Sequence, residues 1–456
     1  MMRNTKRQFT SGHGEILACL LLLAIAVCPS VAQAQTRVIV RDNLGLPGVN
    51  LVCLLSGCNV VADLGDPNGQ LFLVTFPAVL NPVTDLLALT LQKSVLDVEL
   101  DTTVHVQQAG AGSAPSYLTD TTPVSYYGGT VWHGYVAQPG NQLVRTDETH
   151  STFGAAGAGV VVAVIDTGVD PAQPVLKPVL VNGYDFTRNR SGASETADVN
   201  TSPGAGSEQS PSTVNQRTVA VLDQRTVAVL DGGPYTAFGH GTMTAGIVHL
   251  VAPQGHIMPL KAFSADGKGY NSDIIRAINY AIRNDATVMN MSFDNPTYSK
   301  ELANAIRRAQ SKGVVVVASA GNDGERAVVY PSGFLGVIDV ASTSNEDVQS
   351  TFTNYGAPPV YMAAPGEGIV TTYPWGTYAA GWGTSFSTPM VAGTAAVMLG
   401  TNGGCTNSTS VSAGLALADY IGNLDMGFGR LDTMQAVTAC HMSLGALAKA
   451  AGPSKK

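Results

Sequence analysis

Short apolar runs at 37–40 and 71–76 have the length of strands, 85–91 repeats its apolar positions at helical spacing, and 95–100 alternates before ending in Val98-Glu99-Leu100-Asp101. Together they predict one small α+β unit over residues 35–106. Residues 107–116 are Gln, Ala, Gly, Ser and Pro without an apolar period, and they begin a predicted linker that runs to 125. From 126 the pattern changes. Largely apolar runs at 160–165, 257–262, 287–291 and 314–318 are expected of parallel strands covered on both faces. Between them, Ser272 is placed to cap a helix with Ile274, Ile275, Ile278, Ala281 and Ile282 along one stripe. A second helix at 301–311 can be ended by Gly313. This alternation predicts an α/β domain with a mainly parallel sheet over 126–443, followed by a loose tail at 444–456.

One stretch breaks the rhythm. Residues 188–213 are rich in Ser, Thr, Gly, Asn and Pro and poor in large apolar side chains. Directly after them, the octapeptide Gln216-Arg-Thr-Val-Ala-Val-Leu-Asp223 recurs unchanged at 224–231. Two copies of eight residues are too few and too short for a solenoid. Residues 188–231 are therefore expected to be an exposed insertion carrying a tandem duplication.

The composition narrows the range of functions. Lys and Arg number 25 against 33 Asp and Glu, a formal net charge of −8, which counts against nucleic acid or an anionic membrane as the main partner. Arg3, Lys6 and Arg7 precede an almost unbroken apolar stretch at 16–27, and Ala32-Gln33-Ala34 follows. That order predicts a secretory signal peptide over 1–34, and hence an extracellular or periplasmic protein with no membrane attachment after cleavage. Cys19 and Cys28 leave with it. Cys53, Cys58, Cys405 and Cys440 remain, an even number that predicts disulfides in an exported chain. Three pairings are open, and proximity favours 53 with 58 and 405 with 440. No His/Cys spacing suits zinc.

Three segments carry candidate chemistry. Val162-Ala-Val-Ile-Asp166-Thr-Gly168 ends a buried strand in a carboxylate, at the strand end where open α/β sheets bind ligands. Gly239-His240-Gly241-Thr242 sets a histidine between two glycines, just before a helix of small residues. Gly383-Thr384-Ser385-Phe386-Ser387-Thr388-Pro389 sets a serine at a helix N-terminus, where amide N–H groups favour a developing oxyanion. Pro389 is tolerable near the first turn, where few N–H groups have intrahelical partners. Serine is a weak nucleophile and needs a base such as His240. No Gly-x-Ser-x-Gly surrounds any serine, so an α/β-hydrolase site has no support.

In this order the three segments resemble the signature segments of the subtilisin family, the subtilases. The resemblance covers roughly 132–439. It implies a three-layer α/β domain, a serine endopeptidase acting on polypeptides, and a triad of Asp166, His240 and Ser385. Ala318-Ser-Ala-Gly-Asn322-Asp-Gly324 is similar to the family's oxyanion segment, which gives Asn322 the role of donor. Ser292 and Phe293 would pair with substrate backbone, opposite a pocket wall of Ser319, Ala320 and Gly321, with Tyr330-Pro331-Ser332-Gly333 near its base. The first unit resembles subtilase pro-segments, which act as folding helpers and intramolecular inhibitors, with self-cleavage expected within 106–116. A monomer is expected, and no cofactor is required.

Four features depart from the family pattern. His240 lies 74 positions after Asp166, a wide gap filled by the insertion. Residues 246–253 pass straight from the His helix toward the next strand, without the calcium loop common there, so calcium is left open. Phe386 replaces the usual Met, and Asp294 stands where Gly is common. Two other readings compete: a catalytically silent binding or scaffold protein, and an esterase or acyl transferase with the same triad.

Overall fold

The computed structural model describes residues 35–77, 82–106, 114–199, 235–356, 360–401 and 403–442. The signal segment, the duplicated octapeptide, residues 107–113 of the expected cleavage region and the tail lie outside the described residues.

The larger unit is organised by eight strands. Across the sheet they run Arg190–Ser191, Tyr184–Asp185, His256–Lys261, Val161–Asp166, Val288–Met291, Val315–Ser319, Ile338–Thr343 and Met362–Pro365. All neighbours are parallel except the Arg190–Ser191 edge. Helices cover both faces. Val162, Val164, Val288, Val315, Val317 and Val340 cluster with residues of helices His240–Val251 and Thr384–Gly400. Ala163, Ile165, Met289, Met291, Val316 and Ala318 cluster with residues of helices Asn271–Arg283 and Lys300–Ser311. Alternate positions of one strand thus serve opposite helix layers, which is why the runs read as almost continuously apolar. The result is the expected three-layer α/β architecture.

Strand order creates the crevice. Val161–Asp166 has His256–Lys261 on one side and Val288–Met291 on the other. Connections leaving these strand ends therefore diverge, and ligands bind at such points in open parallel sheets. Asp166 is the last residue of its strand, Ser292 follows Met291, and Asn322 lies just beyond Ser319.

The first unit is a four-stranded antiparallel sheet in the order Asn59–Asp63, Leu71–Phe76, Thr36–Asp42, Val95–Leu100. Helices Leu46–Ser56 and Pro82–Thr90 flank it, and a Cys53–Cys58 disulfide ties the end of the first helix. One face buries Val38, Val40, Val49, Phe72, Val74 and Leu89 in a core of its own. The other face sends Ile39, Leu71 and Leu73 into the larger unit's helix layer. Arg41 pairs with Glu301 at 2.6 Å across this junction. The second expected disulfide, Cys405–Cys440, joins helices Ser408–Leu415 and Thr433–Cys440 through the loop before the former.

Three expectations change. Ser272 lies inside the helix Asn271–Arg283 rather than capping it; its amide N–H and hydroxyl donate to Asp101 of the first unit, both at 2.8 Å. Glu99 does the same for the neighbouring helix, accepting from Ser299 Oγ at 2.6 Å and the Lys300 N–H at 2.9 Å. First-turn amides lack intrahelical acceptors, and the chain meets that need from the other unit. Second, the end of the expected linker is folded: Ser116–Thr119 is a 3₁₀ turn and Pro123–Tyr126 forms a hairpin with Gly129–Trp132, because Leu118, Val131 and Tyr135 share a buried cluster. Third, the beginning of the expected exposed insertion is structural. Ala193, Glu195 and Val199 are buried.

Candidate active site

Asp166 is 1% exposed, and its carboxylate gathers donors. Thr167 N–H donates to Oδ1 at 2.7 Å, the Thr244 hydroxyl donates to Oδ2 at 3.2 Å, and His240 Nδ1 lies 2.7 Å from Oδ1. Because a carboxylate oxygen accepts, Nδ1 carries the proton and Nε2 presents a lone pair. Nε2 is buried and has no hydrogen-bond partner among the described residues. Close approach of the two segments requires Gly241, since a Cβ there would collide with the Gly168 carbonyl. Phe386 packs beside the imidazole, with ring centroids 5.8 Å apart.

Ser385 is the second residue of the helix Thr384–Gly400, at its positive end. Pro389 is the sixth residue of this helix, just past its first turn. Having no N–H, it leaves the Ser385 carbonyl without its helical partner. The Ser292 hydroxyl supplies the replacement, donating to that carbonyl at 3.0 Å. In return, Ser385 Oγ donates to the Ser292 carbonyl at 3.2 Å. Reaching His240 Nε2 therefore requires the hydroxyl to leave Ser292. Asn322 is fixed by Thr384, whose N–H and hydroxyl donate to its Oδ1 at 2.9 and 3.0 Å. Its amide nitrogen is thus the end facing away from Thr384.

The two predicted substrate walls are joined at their base. Ser319 Oγ donates to the Phe293 carbonyl at 3.2 Å. Gly321 sits at φ +98°, and a side chain there would collide with Asn354. Thr103–His105 of the first unit pairs antiparallel with Lys268–Tyr270, and His105 forms a bridge with Asp294, next to the wall residue Phe293.

A family model for the subtilase family matches residues 157–423, a span that contains Asp166, His240, Asn322 and Ser385. The chain belongs to the subtilase family. It is 33% identical to thermitase of Thermoactinomyces vulgaris over 254 residues, 54% of this chain and 76% of thermitase. It is 32% identical to a thermophilic serine proteinase of Bacillus sp. (strain AK1) over 339 residues, 71% of this chain and 72% of that protein. Fervidolysin from Fervidobacterium pennivorans, a keratinolytic enzyme related to subtilisin, superposes with a TM-score of 0.64 at 21% identity, over 90% of this chain and 62% of fervidolysin. At that identity the likeness speaks for the fold. The family makes this chain a serine endopeptidase.

Two residues of this subtilase's site escaped the sequence reading. Glu195 is fully buried against the N-terminus of the His240 helix. It accepts from the Gly239 N–H at 2.8 Å, the Thr242 N–H at 2.9 Å and the Thr167 hydroxyl at 2.5 Å, and also bonds the Thr242 hydroxyl. Burial pushes its carboxyl up to about 7, against the pull of Thr167, Thr242 and the charge of Lys261. Lys261, also fully buried, donates to the Thr167 carbonyl at 2.5 Å and pairs with Asp198 at 3.1 Å. Glu195 thereby ties the Asp166 and His240 segments together, and Lys261 anchors the Asp166 segment through Thr167. The one available signal was a lone charge within the apolar run 257–262; nothing in the composition near Glu195 marked it.

Proposed function

We propose that the chain is an exported protease precursor, cleaving peptide bonds through an acyl-enzyme on Ser385. The observation that carries this is the buried Asp166–His240 pair, whose outward nitrogen has an unfilled acceptor position beside the Ser385 helix. On substrate binding, Ser385 Oγ turns from Ser292 to His240 Nε2. It attacks the scissile carbonyl as its proton passes to Nε2, and Asp166 stabilises the imidazolium. The oxyanion is met by the Asn322 amide and the Ser385 N–H. His240 then returns the proton to the leaving amine, and water repeats the sequence to release the acid. No cofactor enters these steps.

The first unit acts as pro-segment and inhibitor in this reading. Its Thr103–His105 strand and the Val106 N–H, donated to the Gly267 carbonyl at 2.9 Å, run along the cleft as a substrate would. Secretion follows from the predicted signal peptide. The test pairs the full chain with Ser385→Ala, following processing on a gel and hydrolysis of casein. The wild type should mature and digest, while the variant stays full length and loses about 10⁶ in turnover, the loss subtilisin suffers without its triad serine. A folded but inert wild type would return the protein to the silent-scaffold reading.

A further inference from the structure

Three carboxylates, Asp294, Asp323 and Asp339, lie near one another beside the predicted substrate walls, and none takes part in an ion pair among the described residues. Asp294 directly follows the wall residue Phe293. Its Oδ2 lies 3.4 Å from where a Cβ on Gly321, in the opposite wall, would stand, so the carboxylate reaches between the walls. Its Oδ1 is buried without a hydrogen-bond partner among the described residues, and the residue is 3% exposed. Asp339, 1% exposed, sits beside Ala318 in the adjacent strand, and both its oxygens are buried and unpartnered. The Ser332 hydroxyl near it donates instead to the Val329 carbonyl at 3.3 Å. Asp323 follows Asn322 and accepts from Asn354 Nδ2 at 3.1 Å. Arg326, the next cation along the chain, pairs with Asp425 at 2.6 Å.

Such an arrangement is costly as it stands, because buried carboxyls without donors lose their hydration and recover nothing. Burial first, then the charges of Asp323 and Asp339, pushes Asp294 up to about 7, and burial does the same to Asp339 against a weaker pull from the Ser332 hydroxyl. The three are not arranged as a set of metal ligands. A side chain carrying N–H donors and positive charge would satisfy them. A peptide backbone also has a path past them, since His105 already bridges Asp294.

We propose that Asp294, supported by Asp339 and Asp323, receives a basic substrate side chain, so that the enzyme prefers Arg or Lys on the acyl side of the scissile bond. This rests on the proteolytic reading above. The test uses the matured enzyme and five peptides that differ only at that residue: Arg, Lys, Gln, Phe or Glu. Arg and Lys should exceed Phe in kcat/KM by about tenfold or more, with Glu slowest. In Asp294→Asn the ratio of Arg to Gln should fall by about tenfold, and in Asp339→Asn by less. A ratio within one preparation is independent of the fraction correctly folded. Cleavage with Phe fastest, or an Arg-to-Gln ratio unchanged in both variants, overturns this inference and leaves the protease standing. A folded wild type inert toward all five overturns both.

Discussion

Asp166 and Asp339 stand on strands of the same sheet and are equally buried, at 1% exposed, yet their surroundings are opposite. Asp166 accepts from an amide, a hydroxyl and the His240 ring. Both Asp339 oxygens are buried without a well-formed hydrogen bond among the described residues, with only the nearby Ser332 hydroxyl pulling against the effect of burial, and Asp294 nearby has one oxygen buried without a partner. Burial alone therefore does not give a carboxylate its role. Donors around Asp166 fix its orientation before substrate arrives, whereas in the proposed reading Asp294 and Asp339 gain donors only from what binds there.

The largest break in this contrast comes from Asp166→Asn. The amide can reverse the histidine's tautomer, and kcat on a peptide substrate should fall by about 10⁴ with the fold intact. Retained activity would remove Asp166 from the triad. Next in size is Asn322→Ala, expected to lower kcat by about 10²–10³ with little change in KM, as loss of subtilisin's oxyanion asparagine does. A KM effect alone would make Asn322 a wall residue.

The smallest effect is the most telling for the comparison: the same exchange, Asp to Asn, should stabilise the fold at position 339. An unfolded Asp titrates near about 3.9, and in the folded chain burial pushes Asp339 up to about 7. Between those values the native state holds the extra proton, so stability falls as pH rises and the full penalty, on the order of a few kcal/mol, is present above about 7. In a Ser385→Ala background, which cannot digest itself, Tm should drop from pH 5 to 8. Asp339→Asn should flatten that drop and raise Tm at pH 8. Glu195 and Asp294, also raised to about 7, keep part of the slope. A lower Tm at pH 8 would mean that Asp339 has a stabilising partner.

Much of the site was legible because each motif combines a local need with a local residue. Gly241 is required where two backbones meet, and Ser385 where a helix begins. The strands could be read from apolar runs, although 257–262 concealed the working role of Lys261. Glu195 could not be read. It lies among Ser, Thr and Asn, which signal exposure, and its partners at 239–242 are reached only across the fold. Asp294 was visible as a departure from the family pattern, whereas Asp339 looked like any residue of a strand.

By itself the sequence determined the α/β layering and the order of the Asp166, His240 and Ser385 segments, since these follow from periodicity and short motifs, and it favoured by proximity the two disulfides that the structure then selected from three open pairings. Only the tertiary structure decided that Asp101 and Glu99 cap helices of the other unit, that Ser292 replaces the hydrogen bond lost at Pro389, and that Asp294 lies near enough to Asp323 and Asp339 to feel their charges. Each of those depends on a donor, acceptor or charge brought from a distant segment. Local pattern records what a residue needs, and the packed fold alone determines which partner meets that need.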